Sequence, residues 1–444
     1  MMISGGNENS MQRTPGIMVI EPSSEQGKRR AAGIFSHKDS YLDQDAIKAN
    51  LKEIRTYAKE NHASLLDQLK NSLGQYSDIK VTFAENATSA AVRIREIAGA
   101  TTLASMNKSN VVVNELRPEL RAMGFQTYLR YFTEFNNFDI ATFKKKVEDY
   151  WAVPGMHGRG LVESFGVARQ FNEISSSETR DYVAVLGVNA ASAQDGTLYF
   201  LQHMSNISKD LEQARKIIFV VSIEKVLKDK EAALFHTRSM GIFGLESVLL
   251  DLDPNPAEVY NFDSLPLLSG DGRAREVHLI ILDNGRTALL NNGYEELFLC
   301  IDCRACARQC PIAKHLMVER QLVYSPKNYV LSFLQGKVSP LDECLHCGRC
   351  EVECPVAIDV PTLVWKTQIE YYQKHGRSLK KRLLDDPEIL AKLGSLTAPL
   401  ANWAGNLPIV KRIMELTAGI HHQANLPTFH RRTFRDWFKG GPRG

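Results

Sequence analysis

All eight cysteines of this 444-residue chain lie between Cys300 and Cys354. A disulfide framework would be spread along the fold, so this clustering points to one local purpose. The cysteines form two blocks of identical spacing: Cys300, Cys303, Cys306 and Cys310 precede Pro311, and Cys344, Cys347, Cys350 and Cys354 precede Pro355. C-x2-C-x2-C-x3-C-P is the run by which thiolates hold cubane iron–sulfur clusters. Three cysteines two residues apart wrap a loop round three iron corners. The fourth leaves along the following helix, whose first turn suits proline. In two-cluster ferredoxins that fourth cysteine ligates the other cluster. The expected sets are therefore Cys300, Cys303, Cys306 and Cys354 for one [4Fe-4S] cluster, and Cys344, Cys347, Cys350 and Cys310 for a second. Paired C-x2-C units also bind zinc, but two complete four-cysteine copies, each closed by proline, depart from the usual zinc spacings. His346, between two ligands, is not needed where four thiolates complete a cluster. With every iron on a thiolate no position is open to substrate, which favours electron transfer over chemistry at iron. A purely structural role for the clusters is the alternative.

The chain is 44% hydrophobic and 24% charged, which excludes collagenous, low-complexity and wholly disordered classes. Its length suggests two or three domains. No run approaches the roughly 18 to 20 apolar residues of a membrane span. Met1 to Ser10 is polar, with neither a basic nor an apolar signal region. A cytoplasmic, reducing location is expected, where clustered thiols hold metal. The net charge of +3 hides an asymmetry: residues 371–444 carry 13 Lys and Arg against 5 Asp and Glu. This basic end suits docking to an acidic partner or is a solvated helical tail; no nucleic-acid role is expected from charge alone.

Residues 1–42 lack hydrophobic periodicity and read as a flexible leader. Ile47, Leu51, Ile54 and Tyr57, then Leu65, Leu69 and Leu73, recur at helical spacing and predict a helical hairpin. From Ile79 short β-branched runs alternate with amphipathic stretches, predicting strands at 79–83, 126–131, 182–187, 198–201, 217–223 and 278–282. The run 111–113 reads as a short strand or a helix start. Helices are predicted at 87–98, 118–123 and 227–239. This alternation argues for an α/β domain with a largely parallel sheet over 43–293, hairpin included. Residues 294–378 predict an all-α ferredoxin-like domain, with helices at 313–322, 328–334 and 360–374. Residues 379–444 form a basic helical C-terminal segment.

Two loops are candidate ligand sites within the α/β domain. Gly187 and Asn189 follow a predicted strand, and Asp195, Gly196 and Thr197 precede another, as at the carboxyl end of a strand in an open sheet. Asp-Gly is also a preferred hairpin turn. The second loop is Asp283-Asn284-Gly285-Arg286, whose Arg286 suits a carboxylate or phosphate. No Ser-His-Asp, HExxH or P-loop pattern appears, and no catalytic residue is assigned.

The Gly187-Val-Asn-Ala and Asp195-Gly-Thr loop, the run His278 to Arg286, the two cysteine blocks and the terminal Phe434-Arg-Asp-Trp-Phe438 together resemble the lactate utilization protein B family. The resemblance spans roughly residues 45–440. It implies a LUD domain of the NagB/RpiA/CoA-transferase-like superfamily fused to an α-helical ferredoxin module with two [4Fe-4S] clusters. It further implies an iron–sulfur electron-transfer subunit of a cytoplasmic L-lactate-oxidising complex, rather than an enzyme alone. The partners it implies are a cysteine-rich iron–sulfur subunit and a second LUD protein, or a flavoprotein. Two features depart from the family pattern: Cys344, where the second block usually lacks its first cysteine, and the loop Ala193-Gln-Asp-Gly-Thr197. The alternatives are a LUD-type ligand-binding or redox-sensing module, and an electron adaptor for a flavoprotein or hydrogenase.

Overall fold

The computed structural model describes residues 16–20, 44–76, 79–129, 181–201, 207–244, 258–261, 275–308, 310–312, 325–378, 381–382 and 385–441. The chain divides into two compact units, Met1–Thr367 and Gln368–Gly444.

In the first unit, apolar runs bounded by turn residues become the strands of a six-stranded parallel sheet. Its order is β2 (Ile79–Ala84), β11 (Glu276–Leu282), β8 (Lys216–Ser222), β5 (Val183–Gly187), β3 (Leu103–Met106) and β4 (Gln126–Leu129). The central strands read as continuous rather than alternating apolar runs because both faces of a parallel sheet are covered. Ile217 to Val221 of β8 are fully buried, each side chain contributing about 1.5–3 kcal/mol. Helices α1 (Gln44–Glu60) and α2 (His62–Leu73) are parted by Asn61 alone, and helical hydrogen bonds from Asn61 N to Tyr57 O and from Leu65 N to Asn61 O run through the break. A kinked helix therefore stands where a hairpin was expected; α2 buries Leu65, Leu69 and Leu73. Helix α3 (Ala87–Ala98) starts at a capping box between Asn86 and Ser89 and buries Ala87, Ala90, Ala91 and Ile94. The β-branched run at 111 is a π-helical turn, Val111–Leu116, followed by α4 (Arg117–Ala122). The wide turn buries Val111, Val112, Val113 and Glu115 together.

A second sheet of five strands runs β10 (Glu258–Asn261), β1 (Gly16–Ile20), β7 (Leu198–Leu201), β6 (Ala190–Ser192) and β9 (Val226–Leu227). Its strand β1 differs, at residues 16–20, from the expectation of a flexible leader over 1–42. Ile17 is fully buried, and β1 pairs parallel with β7 and antiparallel with β10. Five residues are too few to show a period in sequence, and both ladder partners are more than 170 residues away. Helices α5 (Ser208–Gln213) and α6 (Lys230–Phe243) flank β8, and Asp229 caps α6.

After β11 come α7 (Arg286–Leu289), a 3-10 turn (Glu295–Leu299), and the short α8 (Ala305–Arg308), α9 (Pro326–Leu334), α10 (Arg349–Val352) and α11 (Val360–His375). The expected border near residue 293 does not separate compact units. Leu51 of α1 and Met240 and Phe243 of α6 share one core with Leu299, Tyr329 and Val360. The expected helix at 313–322 lies outside the described residues. The second unit contains α12 (Pro387–Leu396), α13 (Ala398–Gly405), α14 (Pro408–Ala418) and α15 (Phe434–Gly440). No helix among the described residues is long and apolar enough to cross a membrane.

Candidate metal centre and the charges beside it

The two cysteine blocks fold into loops of the same backbone conformation. Asp302 and Arg304 in the first loop have φ of 60° and 59°; His346 and Gly348, at the matching positions of the second, have 47° and 77°. Left-handed residues at both positions turn successive N–H groups towards the loop interior, the concave arrangement that receives anions and iron–sulfur centres. Three of these four residues are not glycine, so the conformation is held against a steric cost. One inward N–H, that of Asp302, lies 3.3 Å from Cys300 Sγ.

Each loop shares a cavity with the last cysteine of the other block. Cys300, Cys303, Cys306 and Cys354 line one space of about 380 Å³, its open mouth included, with Asp302, Lys327 and Ile358. Cys310, Cys344, Cys347 and Cys350 line a second of about 390 Å³, with His346, Arg349 and Val364. Cys347 is exposed, whereas the other seven cysteines are half-buried.

Burial pushes the Cys300 thiol up to about 11. Burial and the neighbouring Cys344 and Cys310 push Cys350 up to about 12. Burial raises Cys306 well above the ordinary thiol range, with Cys300, Cys303 and Cys354 adding to the effect. Thiols raised in this way do not ionise together near neutral pH unless a multivalent cation compensates their charge. Two sets of four soft donors, lined by inward N–H groups, fit iron–sulfur cubanes.

A network of buried charges adjoins the first cavity. Asp302 receives Lys327 Nζ at 2.9 Å and Lys225 Nζ at 3.1 Å. Burial would raise the Asp302 carboxyl, but these two ammonium groups hold it well below the ordinary carboxylate range. Lys225 ends the 3-10 turn Ile223–Lys225 that follows β8, and Lys327 lies in the first turn of α9. Beside Lys225, Glu224 pairs with Arg286 Nε, and Arg286 also grips Glu115 with both Nη groups. Arg55 of α1, fully buried, donates to the carbonyls of Phe298 and Leu299 at 2.6 and 3.1 Å, fixing the turn that ends at Cys300. His236 is buried among them; burial, then Arg55 and Lys225, keep its imidazole neutral by lowering its pKa well below the usual value. Sequence reasoning did not single out Asp302, Lys225, Lys327, Glu224, Glu115 or Arg55. One signal was present: Glu224-Lys225 interrupts the apolar run from Ile217 to Leu227.

Residues 296–358 match the family described as 4Fe-4S dicluster domain. A protein named lactate utilization protein B from Lysinibacillus sphaericus is 23% identical, with 90% of each chain covered. Its namesake from Geobacillus thermodenitrificans is 26% identical over 88% of each, and that from Geobacillus kaustophilus 25% over 88% of each. The chain is similar to lactate utilization protein B along nearly its whole length. No solved structure matches it.

The two candidate ligand loops have separate partners. Asp195, Gly196 and Thr197 make the hairpin turn between β6 and β7. Asp195 accepts from Thr197 Oγ1 at 2.7 Å and pairs with Lys230 at 2.8 Å. Gly187 ends β5, where the strand order reverses between β3 and β5, the position at which open sheets bind ligands. There Asn107 and the Gly187 backbone exchange two hydrogen bonds of 2.8 Å, and a Cβ on Gly187 would meet Ser109 at 2.4 Å. Asn189 accepts from Leu201 N at 2.8 Å. Arg286 is not a surface residue, being 2% exposed. Its turn is held by Asn284, whose side chain accepts from Ala87 N and donates to Glu115.

Proposed function

We propose that this chain is an iron–sulfur electron-transfer subunit of a cytoplasmic oxidoreductase complex related to lactate utilization. Cys300, Cys303, Cys306 and Cys354 hold one [4Fe-4S] cluster, and Cys310, Cys344, Cys347 and Cys350 hold a second. The observation that carries the reading is the position of Cys354 with the first block and of Cys310 with the second. When bound, such clusters supply one-electron transfer without an open coordination site. The chain's own residues orient the ligands: Arg55 fixes the approach to Cys300, and left-handed residues turn N–H groups towards sulfur. Only three residues lie between Cys306 and Cys310 and between Cys350 and Cys354, so short stretches of chain link the two centres. The α/β part is read as a LUD domain of NagB/RpiA-like type. The partners are a cysteine-rich iron–sulfur subunit and a second LUD protein or a flavoprotein. Exposed Trp403, Leu416 and Trp437 in the basic C-terminal unit support a docking role there.

Anaerobic purification tests the proposal: about eight irons per chain and a visible iron–sulfur band are expected. Zinc in place of iron overturns it. Co-purification of a hydrogenase in place of lactate-related subunits would redirect the assignment of the donor.

A second reading is favoured by the charge network that joins the strand ends at Glu224 and Arg286 to the first cavity. In it the LUD domain binds a small ligand and the clusters report redox state. Calorimetry with lactate, acyl-CoA and nucleotides separates the two, since only the second reading expects tight binding by the isolated chain.

A further inference from the structure

Lys225 and Lys327 are 3% and 4% exposed, where lysine is almost never found unless paired. They share a single carboxylate, Asp302, and Arg55 adds a third buried cation whose hydrogen bonds go to backbone carbonyls alone. Lys327 also breaks a local rule. Ser325 caps α9 and Pro326 opens it, which sets Lys327 in the first turn, where the helix dipole disfavours a cation. Such conflicts between local preference and tertiary position mark functional sites. Glu224 also faces Lys327 and Arg55 but is already paired with Arg286. The four cations Arg55, Lys225, Lys327 and Arg286 thus meet the three carboxylates Asp302, Glu224 and Glu115, which leaves an excess of one positive charge.

A negative group to offset that excess is on hand if the first cavity is filled as proposed. Lys327 and Asp302 line it, and the cluster with its four thiolates is an anion that gains one more negative charge on reduction. We propose that Lys225 and Lys327 raise the reduction potential of the cluster held by Cys300, Cys303, Cys306 and Cys354, making it the electron sink of the pair. The inference rests on the two-cluster reading above. Burial alone would disfavour the extra charge, but the same low-dielectric surroundings strengthen the field of the two ammonium groups. Among the described residues, no such pair lines the second cavity. The charged or titratable side chains lining it besides cysteine, His346 and Arg349, are exposed, and solvent screens them. Electrons entering by the exposed Cys347 side are thus drawn towards the inner cluster and the carboxyl ends of the parallel strands.

The test is a redox titration of the full chain followed by electron paramagnetic resonance, with Cys347→Ser assigning the outer signal. In the wild type the inner cluster is expected to be reduced first. Lys327→Met and Lys225→Met should each lower its one-electron reduction equilibrium constant at least tenfold, about 59 mV, with the outer cluster unmoved. Asp302→Asn should shift it the opposite way, and asparagine tolerates the left-handed backbone there. Should a lysine variant fail to assemble, the upward shift in Asp302→Asn still decides. An inner cluster that titrates below the outer one, or potentials unmoved by these variants, overturns the inference. Fewer than two four-iron centres in the wild type would instead overturn the two-cluster reading.

Discussion

Arg286 holds Glu115 through two parallel hydrogen bonds of 2.7 and 2.9 Å, joining the turn after β11 to the π-helical turn after β3. The fork geometry of guanidinium and carboxylate gives the pair its direction as well as its strength. Both side chains are buried, so removing either partner strands a charge in the interior. Arg286→Met should therefore destabilise the first unit by about 3–5 kcal/mol. Pairing it with Glu115→Gln should recover part of that loss in a double-mutant cycle measured by urea unfolding. Additive effects would show that the two residues do not act as a pair.

The cross-block grouping of cysteines makes Cys354→Ser informative. Its sequence neighbours Cys347 and Cys350 line one cavity, yet its own side chain lines the other. The variant should lose about four irons and the signal of the cluster built on Cys300, Cys303 and Cys306. Cys310→Ser should lose the other signal. If each serine damages the cluster of its own block, the ligand assignment fails.

Cys344 is the residue by which the second block departs from the pattern the resemblance implies. Cys344→Ser should impair only the cluster at Cys310, Cys347 and Cys350, read as a loss of its resonance with the inner signal intact. Retention of both four-iron signals would show that this thiol is not a ligand.

Asp195 gives a pH dependence of definite sign. Burial would raise its carboxyl, but Lys230 Nζ at 2.8 Å and the Thr197 hydroxyl at 2.7 Å hold it below the ordinary value. Its contribution is fully present above the unfolded-state value of about 3.9 and is lost as pH falls through the lower folded value. Asp195→Asn should cost about 1 kcal/mol at pH 7, and the gap to wild type should close below about pH 4. A gap constant from pH 7 to pH 3 would contradict this account.

Gly187 is required by close approach rather than by an unusual backbone angle. A Cβ there would meet Ser109 Cβ and Oγ at 2.4 Å and Val112 at 2.9 Å. Gly187→Ala should cost about 1–3 kcal/mol through overpacking, and Ser109→Gly should restore part of it. Thermal melts of the single and double variants measure both effects.

Elements whose signal is local were legible. The strands at 79, 183 and 216 begin within a residue of their expected starts, and α3 covers the expected residues 87–98, because apolar runs and helical spacing announce them. Two others were not. Strand β1 exists because Ile17 finds a slot in the five-stranded sheet, a long-range fact that five residues do not carry. Arg286 reads as a residue suited to a ligand's carboxylate or phosphate, yet Glu115 and Glu224, from two other turns, enclose it.

The sequence by itself determined that eight thiols stand in two equal blocks with the spacing of iron–sulfur ligands, since ligand spacing is a property of a few consecutive residues. Tertiary structure decided what electric field those thiols meet. Arg55 reaches Leu299 across 244 residues, and Lys225 and Lys327 converge on Asp302 from the end of a strand and the start of a helix. A charge acquires such influence only where folding removes water from around it, and that removal belongs to the assembled interior rather than to any segment of the chain.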